Sequence, residues 1–125
     1  YVPEGYPPDH PIVPHGMAVV LNAPAAFRFT GPANPRRHLE AARLMGAVVD
    51  GVKDEEAGRI LAAAVIHLMK RTGMPNGLAA VGYTEADVDR LVEGTLPQHR
   101  VTKLCPRPFT PEDLRRIFLE SLKLW

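Results

Sequence analysis

Of the five histidines in this 125-residue chain, His15 has the most telling surroundings. It stands between Pro14 and Gly16, at the edge of the apolar run Met17-Ala18-Val19-Val20-Leu21. If a helix opens at His15 or Gly16, the ring is presented from a fixed support, which is what a ligand of a metal ion requires. A neutral imidazole carries the lone pair for that bond. Gly16, lacking a side chain, lets backbone or substrate approach the same point. Spacing alone leaves two readings open: a metal ligand, or a residue that caps or packs a helix start. His10, five residues earlier in a proline-constrained loop, is a pocket residue beside that site or a solvated loop side chain. His38, His67 and His99 lie on or near amphipathic segments with no cysteine or carboxylate at ligand spacing, and read as surface or packing residues.

Other chemistries leave no mark. "GPANPRRH" lacks the strand and glycine pattern of a dinucleotide turn, and "GLAAVG" lacks the lysine of a phosphate loop. The single cysteine, Cys105, excludes an internal disulfide and a cysteine-rich zinc site, and reads as a turn residue of an intracellular chain. Fifteen basic against fourteen acidic side chains, with no basic run, point away from nucleic acid and anionic membrane as partners. Apolar stretches such as 60–69 are shorter than the roughly 20 residues that cross a bilayer.

The elements that must position His15 are helices. The entry "YVPEGYPPDHPIVP", with prolines at 3, 7, 8, 11 and 14, has little capacity for helix or central strand and reads as a connecting loop over 1–14, or else as a trimmed N-terminal arm. From 15 to 125 helix punctuation recurs. Asn34-Pro35 is an N-cap with proline at the first helical position, opening a helix that ends near Gly46. "KDEEAGRILAAAVIHLMKRTG" carries acids at its start and Lys70 and Arg71 at its end, matching the helix macrodipole. Its apolar positions Ala57, Ile60, Leu61, Ala64, Leu68 and Met69 have helical spacing, and Gly73 and Pro75 stop it. Thr84 with Asp87, and Thr110 with Pro111, open two further helices. The expected fold is all-α, a bundle of about five to six helices, with a long irregular loop over "TLPQHRVTKLCPRPF".

The stretch "DHPIVPHGMAVVLNAPAAFRFTGPANPRRHLEAARLMGA" resembles the iron-containing (group III) alcohol dehydrogenases, most of all their hydroxyacid-oxoacid transhydrogenase branch. The resemblance continues through "GLAAVGYTEADVDRLVEGTLPQHRVTKL" to "CPRPFTPEDL", where Cys105 replaces the asparagine of the family's usual Asn-Pro-Arg turn. It implies the C-terminal all-α domain of a dehydroquinate-synthase-like fold, which in this family follows an α/β domain that binds NAD(P). It also implies iron, or zinc, held in the cleft between the domains by one aspartate and three histidines, the last of them in a Pro-His-Gly motif. His15 matches that histidine; the other ligands and the α/β partner domain would lie before Tyr1. On this reading the chain is the C-terminal portion of a larger enzyme and is inactive alone. The branch implies hydride transfer from 4-hydroxybutyrate to 2-oxoglutarate. Val101 falls where relatives line the substrate pocket, and Lys103 or Arg100 is placed to meet a substrate carboxylate, unless Lys103 is simply solvated. The rivals are a dehydrogenase of simple alcohols or aldehydes and a non-catalytic helical interaction domain. A homo-oligomer, in bacterial cytoplasm or mitochondrial matrix, completes the expectation.

Overall fold

The computed structural model describes residues 13–125; His10 and the rest of the entry through residue 12 lie outside the described residues. Among the described residues every regular element is helical, as expected. The helices are α1 (His15–Thr30), α2 (Pro35–Leu44), α3 (Ala57–Arg71), α4 (Val88–Thr95), the single turn α5 (His99–Thr102) and α6 (Pro111–Leu122), with four short 3-10 turns between them. None is long and apolar enough to cross a membrane.

Side-chain chemistry sets the helix ends where the sequence places them. The Asn34 carboxamide accepts a hydrogen bond from the Arg37 amide at 3.2 Å, and Pro35 occupies the first helical position. At the other end of α2, Gly46 adopts φ +90, and the amides of Gly46 and Ala47 turn back onto Arg43 O and Ala42 O at 2.9 and 3.0 Å. This closure, which satisfies otherwise orphaned carbonyls, recurs after α3 through Gly73 and Met74. Capping boxes at Thr84/Asp87 and Thr110/Asp113 open the segments that lead into α4 and α6.

Helix α1 is the centre of the packing, lying against α3 on one side and α6 on another, while α2 covers α3 and α4 covers α6. Leu21 is fully buried, with Pro24 and Ala25 beside it, and Leu21 joins Ala42, Leu61, Val65, Met69, Leu78 and Leu124 in one core cluster. A helix packed on two sides needs apolar residues over most of its circumference, which explains why 17–29 reads as a nearly continuous apolar run. Pro24, inside α1, lacks an amide hydrogen and leaves one helical hydrogen bond unmade, yet the helix continues to Thr30.

Two expectations need correction. Leu68, one of the apolar positions at helical spacing in α3, is 48% exposed; the buried face runs through Ala57, Gly58, Leu61, Ala62, Val65 and Met69. The stripe is turned toward Ala62 and Val65 because α1 approaches at Gly58. The segment between α4 and α6 is not irregular throughout, since Val101 and Thr102 amides both donate to Gln98 O at 2.9 Å and wind the turn α5. Pro97 before it and Pro106 after it keep it to a single turn.

Gly58 is required by contact. A Cβ there would lie 2.5 Å from Phe27 O and 3.0 Å from Arg28 Cα, and one on Gly31 would lie 2.6 Å from Gly58 Cα. The end of α1 and the start of α3 therefore meet backbone to backbone. The chain end is fastened separately: Asn76 Oδ1 accepts the amides of Leu124 and Trp125 at 2.9 and 3.1 Å, its Nδ2 donates to Trp125 O, and the Lys70 ammonium lies 5.3 Å from the Trp125 ring centre.

Gly58→Ala is expected to lower the unfolding free energy by about 3 kcal/mol, the upper range for overpacking, which a urea titration followed by circular dichroism would read. The Asp113 carboxyl is held below the usual carboxylate range by the Thr110 amide and then by the Thr110 hydroxyl, with Arg116 adding to the effect. Its folded-state pKa is depressed, so its contribution is fully present above the unfolded value and is lost as pH falls through the folded one. Asp113→Ala should lower stability at neutral pH and flatten the acid limb of the stability profile, seen in melting temperatures recorded from pH 7 downward.

Candidate functional site

His15 is the first residue of α1 and is exposed. Pro14 at the N-cap offers no side-chain acceptor, and the first turn carries no acid, so nothing polar of α1's own covers the ring. Six residues on, Leu21 is locked in the core, which gives the projecting imidazole a rigid base. Nothing lies within 4 Å of a Cβ placed on Gly16, so the space at the neighbouring residue is open. No group of three or more His, Cys, Asp or Glu that could hold a metal ion exists among the described residues. The donor set fits a metal ion in one specific sense: an exposed imidazole at the start of a helix packed on the core, with any companion ligands coming from outside the described residues.

His38 shows what a structural histidine looks like by contrast. Its Nδ1 is 2.8 Å from Asn34 O and its Nε2 is 3.0 Å from Thr30 Oγ1, while the ring meets Phe27 edge-on at 5.9 Å. Both nitrogens are engaged in joining the end of α1 to the start of α2. His67 is exposed on α3, as read from the sequence.

Lys103 follows α5 and lines an open cleft of about 470 Å³ with His99, Cys105 and Arg107. Neither His15 nor Val101 forms part of its walls. Val101 is 56% exposed and its neighbour Leu104 is 78% exposed, so the face of this segment that carries Val101 is left uncovered. Arg100 is exposed on the same turn.

The residue that holds this segment in place is Arg107, whose role the sequence did not disclose. Its Nη1 donates to Phe29 O at 2.9 Å, and its guanidinium carbon lies 4.2 Å from the centre of the Phe29 ring. One side chain thus ties the proline-flanked turn to the last turn of α1. A smaller cavity of about 250 Å³ lies on the other side of Arg107, bounded by Arg28, Arg116, Ile117 and Glu120, with Arg28 and Glu120 paired at 3.8 Å. The only sequence signal for the tether is the setting Pro106-Arg107-Pro108, which fixes the backbone on both sides of one long cation.

Comparison with known proteins places this arrangement. The family described as "Fe-containing alcohol dehydrogenase family, C-terminal" matches residues 11–122. The mitochondrial hydroxyacid-oxoacid transhydrogenase of Xenopus laevis is 50% identical over 125 residues, covering all of this chain and 27% of that protein. A probable mitochondrial hydroxyacid-oxoacid transhydrogenase of Dictyostelium discoideum is 48% identical over 126 residues, covering all of this chain and 23% of that protein. The chain thus spans about a quarter of the length of the curated relatives it matches. Among solved structures, an alcohol dehydrogenase from Oenococcus oeni superposes with a TM-score of 0.79 at 31% identity, covering 87% of this chain and 28% of that one. A 1,3-propanediol oxidoreductase superposes with a TM-score of 0.77 at 28% identity, covering 87% of this chain and 28% of that one. The chain belongs to the iron-containing alcohol dehydrogenase family and corresponds to its C-terminal, helical part.

Proposed function

We propose that the full-length protein carrying this chain is a metal- and nicotinamide-dependent oxidoreductase acting on alcohol groups, which passes hydride from a hydroxy acid such as 4-hydroxybutyrate to an oxo acid such as 2-oxoglutarate. One observation carries the reading: an exposed imidazole, His15, stands at the first position of α1 in a chain about half identical over its whole length to named transhydrogenases. In this reading 1–14 is the connection from a cofactor-binding α/β domain, and 15–125 is the domain that supplies metal ligation. The family's metal, iron or zinc, supplies Lewis acidity to the substrate oxygen when bound, and NAD(P) is held mainly by the other domain.

The work assigned to this chain is positional. His15 holds the metal and does not carry the proton, because a lone pair committed to a cation is no longer available as a base. The buried segment of α1 behind it fixes the direction of that lone pair. Gly16 keeps the approach to the ring clear, and His10 completes the pocket beside it. Val101, uncovered on the turn after α4, lines the substrate's apolar carbons, and the neighbouring cation Lys103, or Arg100, meets the carboxylate. The names of the relatives support mitochondria as the compartment in a eukaryotic source, and bacterial cytoplasm otherwise. The intact protein is proposed to assemble as a homo-oligomer. A second reading, a dehydrogenase of simple alcohols, draws on the 1,3-propanediol oxidoreductase among the structural relatives.

Purified full-length protein should convert 4-hydroxybutyrate and 2-oxoglutarate without added free nicotinamide. His15→Ala should remove that turnover and lower bound metal by at least about ten-fold, the smaller loss seen even for outer partners of metal ligands. Wild-type metal content in the His15→Ala protein would rule the ligand assignment out, and turnover only with simple alcohols and added nicotinamide would favour the second reading. Lys103→Met should raise the KM for the hydroxy acid about ten-fold, the scale of one hydrogen bond to a charged group, and leave that for an uncharged alcohol nearly unchanged. Equal changes for both substrates in steady-state kinetics would take Lys103 out of the substrate site.

A further inference from the structure

The smaller cavity, between the C-terminal turns of α1 and α6, gathers positive charge that hydride transfer does not use. Ala25, Arg28 and Phe29 line it from α1 at the spacing of one helix face, and Arg116, Ile117 and Glu120 line it from α6. Arg107 closes it from the loop. Three of the seven wall residues are thus arginines, against one acid. Their donors are only partly engaged. Arg28 and Glu120 stand 3.8 Å apart, longer than a hydrogen bond, so this pair leaves the Arg28 N–H groups free to turn to a ligand. Arg107 donates Nη1 to Phe29 O, and no carboxylate pairs with it among the described residues. Arg116 donates Nη2 to Asp113 at 2.7 Å. A guanidinium has five N–H donors, so all three keep some in reserve.

We infer that this cavity binds the phosphate group of a small phosphate ester, the three guanidiniums taking its oxygens while Ala25 and Ile117 border its carbon-bearing part. A phosphate held by one ester bond carries up to two negative charges and three acceptor oxygens, and planar guanidiniums meet such oxygens with paired donors. The wall's cations outnumber its acid by two, and Asp113 offsets part of that excess at Arg116; a dianion matches what remains. At about 250 Å³ the cavity lies just below the ~300–1,000 Å³ of pockets for drug-sized ligands, which suits a small ester and not a dinucleotide. The site is separate from the contacts proposed for metal and substrate. None of His15, Arg100, Val101 and Lys103 lines it, and its wall residue Phe29 lies fourteen residues along α1 from His15, about 21 Å at the rise of an α-helix. Because Arg107 also ties the loop to Phe29, an occupied cavity adds a second hold on that tether.

Phenylglyoxal, which modifies accessible guanidiniums, reads the site residue by residue through peptide mass mapping of the full-length protein. Arg59 is the internal reference. Its side chain is 63% exposed and paired with Glu56, just as that of Arg116 is 63% exposed and paired with Asp113, but Arg59 does not line the cavity. Inorganic phosphate at about ten times its Kd should slow modification of Arg28 and Arg116 about ten-fold and leave Arg59 unchanged, relative to sodium chloride of equal ionic strength. Methyl phosphate should protect the same two residues. Read at Arg28, Arg116→Gln should raise the Kd for phosphate about five-fold and Glu120→Gln should lower it by a similar factor, the scale of one exposed charge contact. Both substituted residues are exposed, so the fold is kept. Equal protection of Arg59, no protection of Arg28 and Arg116, an Arg28 or Arg116 inert to the reagent without phosphate, or a Kd unchanged in either variant would overturn the site. Protection by glutarate as strong as by phosphate, or none by methyl phosphate, would overturn the phosphate-ester assignment. None of these readings uses turnover, so a failed hydride-transfer assay leaves them standing.

Discussion

The structure depends on α1 being gripped from two sides. α3 and α6 pack against it along different faces, and the grip is closest where Gly58 meets the backbone at Phe27 and Arg28. At that point the separation is set by main-chain atoms and not by side chains, so it has no slack to take up by changing rotamers. Leu21, Pro24 and Ala25, earlier in α1, are buried on the N-terminal side of the contact. The first two residues of α1, His15 and Gly16, stay exposed, while Met17 already packs against the core. His15 is thereby carried by a helix whose following turns are packed into the core.

The other end of α1 is used differently. Its last turn receives Arg107 on the Phe29 carbonyl and ring, and His38 on Thr30 and Phe27, so two later segments of chain are registered against it. A carbonyl near a helix C-terminus has no intrahelical amide to accept from, and the guanidinium satisfies it while remaining a cation toward the cleft. Through this bond the turn carrying Val101 and Lys103 is referred to the same rigid element as His15. One helix therefore sets the relation between two chemically different regions of the domain.

The helix ends were legible in the sequence because they are fixed by side chains next to them in the chain. Asn34 with Pro35, Thr84 with Asp87, Thr110 with Asp113, and the glycines at 46 and 73 each act within a few residues. The position of His15 at a helix start was legible for the same reason. Features that depend on distant partners were not. Leu68 fits the spacing of a buried stripe, and only the approach of α1 at Gly58 decides that the face turns toward Val65. The Arg107 bond spans 78 residues of sequence, and no local pattern encodes its partner. His38 looked like a packing residue and is one, although the full engagement of both ring nitrogens follows from the 3-10 turn that brings Thr30 and Asn34 together.

The same distinction separates the two ends of α1. A metal centre needs several donors converging on one point, and no such group exists among the described residues, where His15 stands exposed at the start of α1. The loop after α4 needs no such convergence to be placed, since Arg107 fixes it to α1 through a single side chain. The N-terminal end of α1 thus presents an exposed ring, while its last turn anchors a loop distant in sequence.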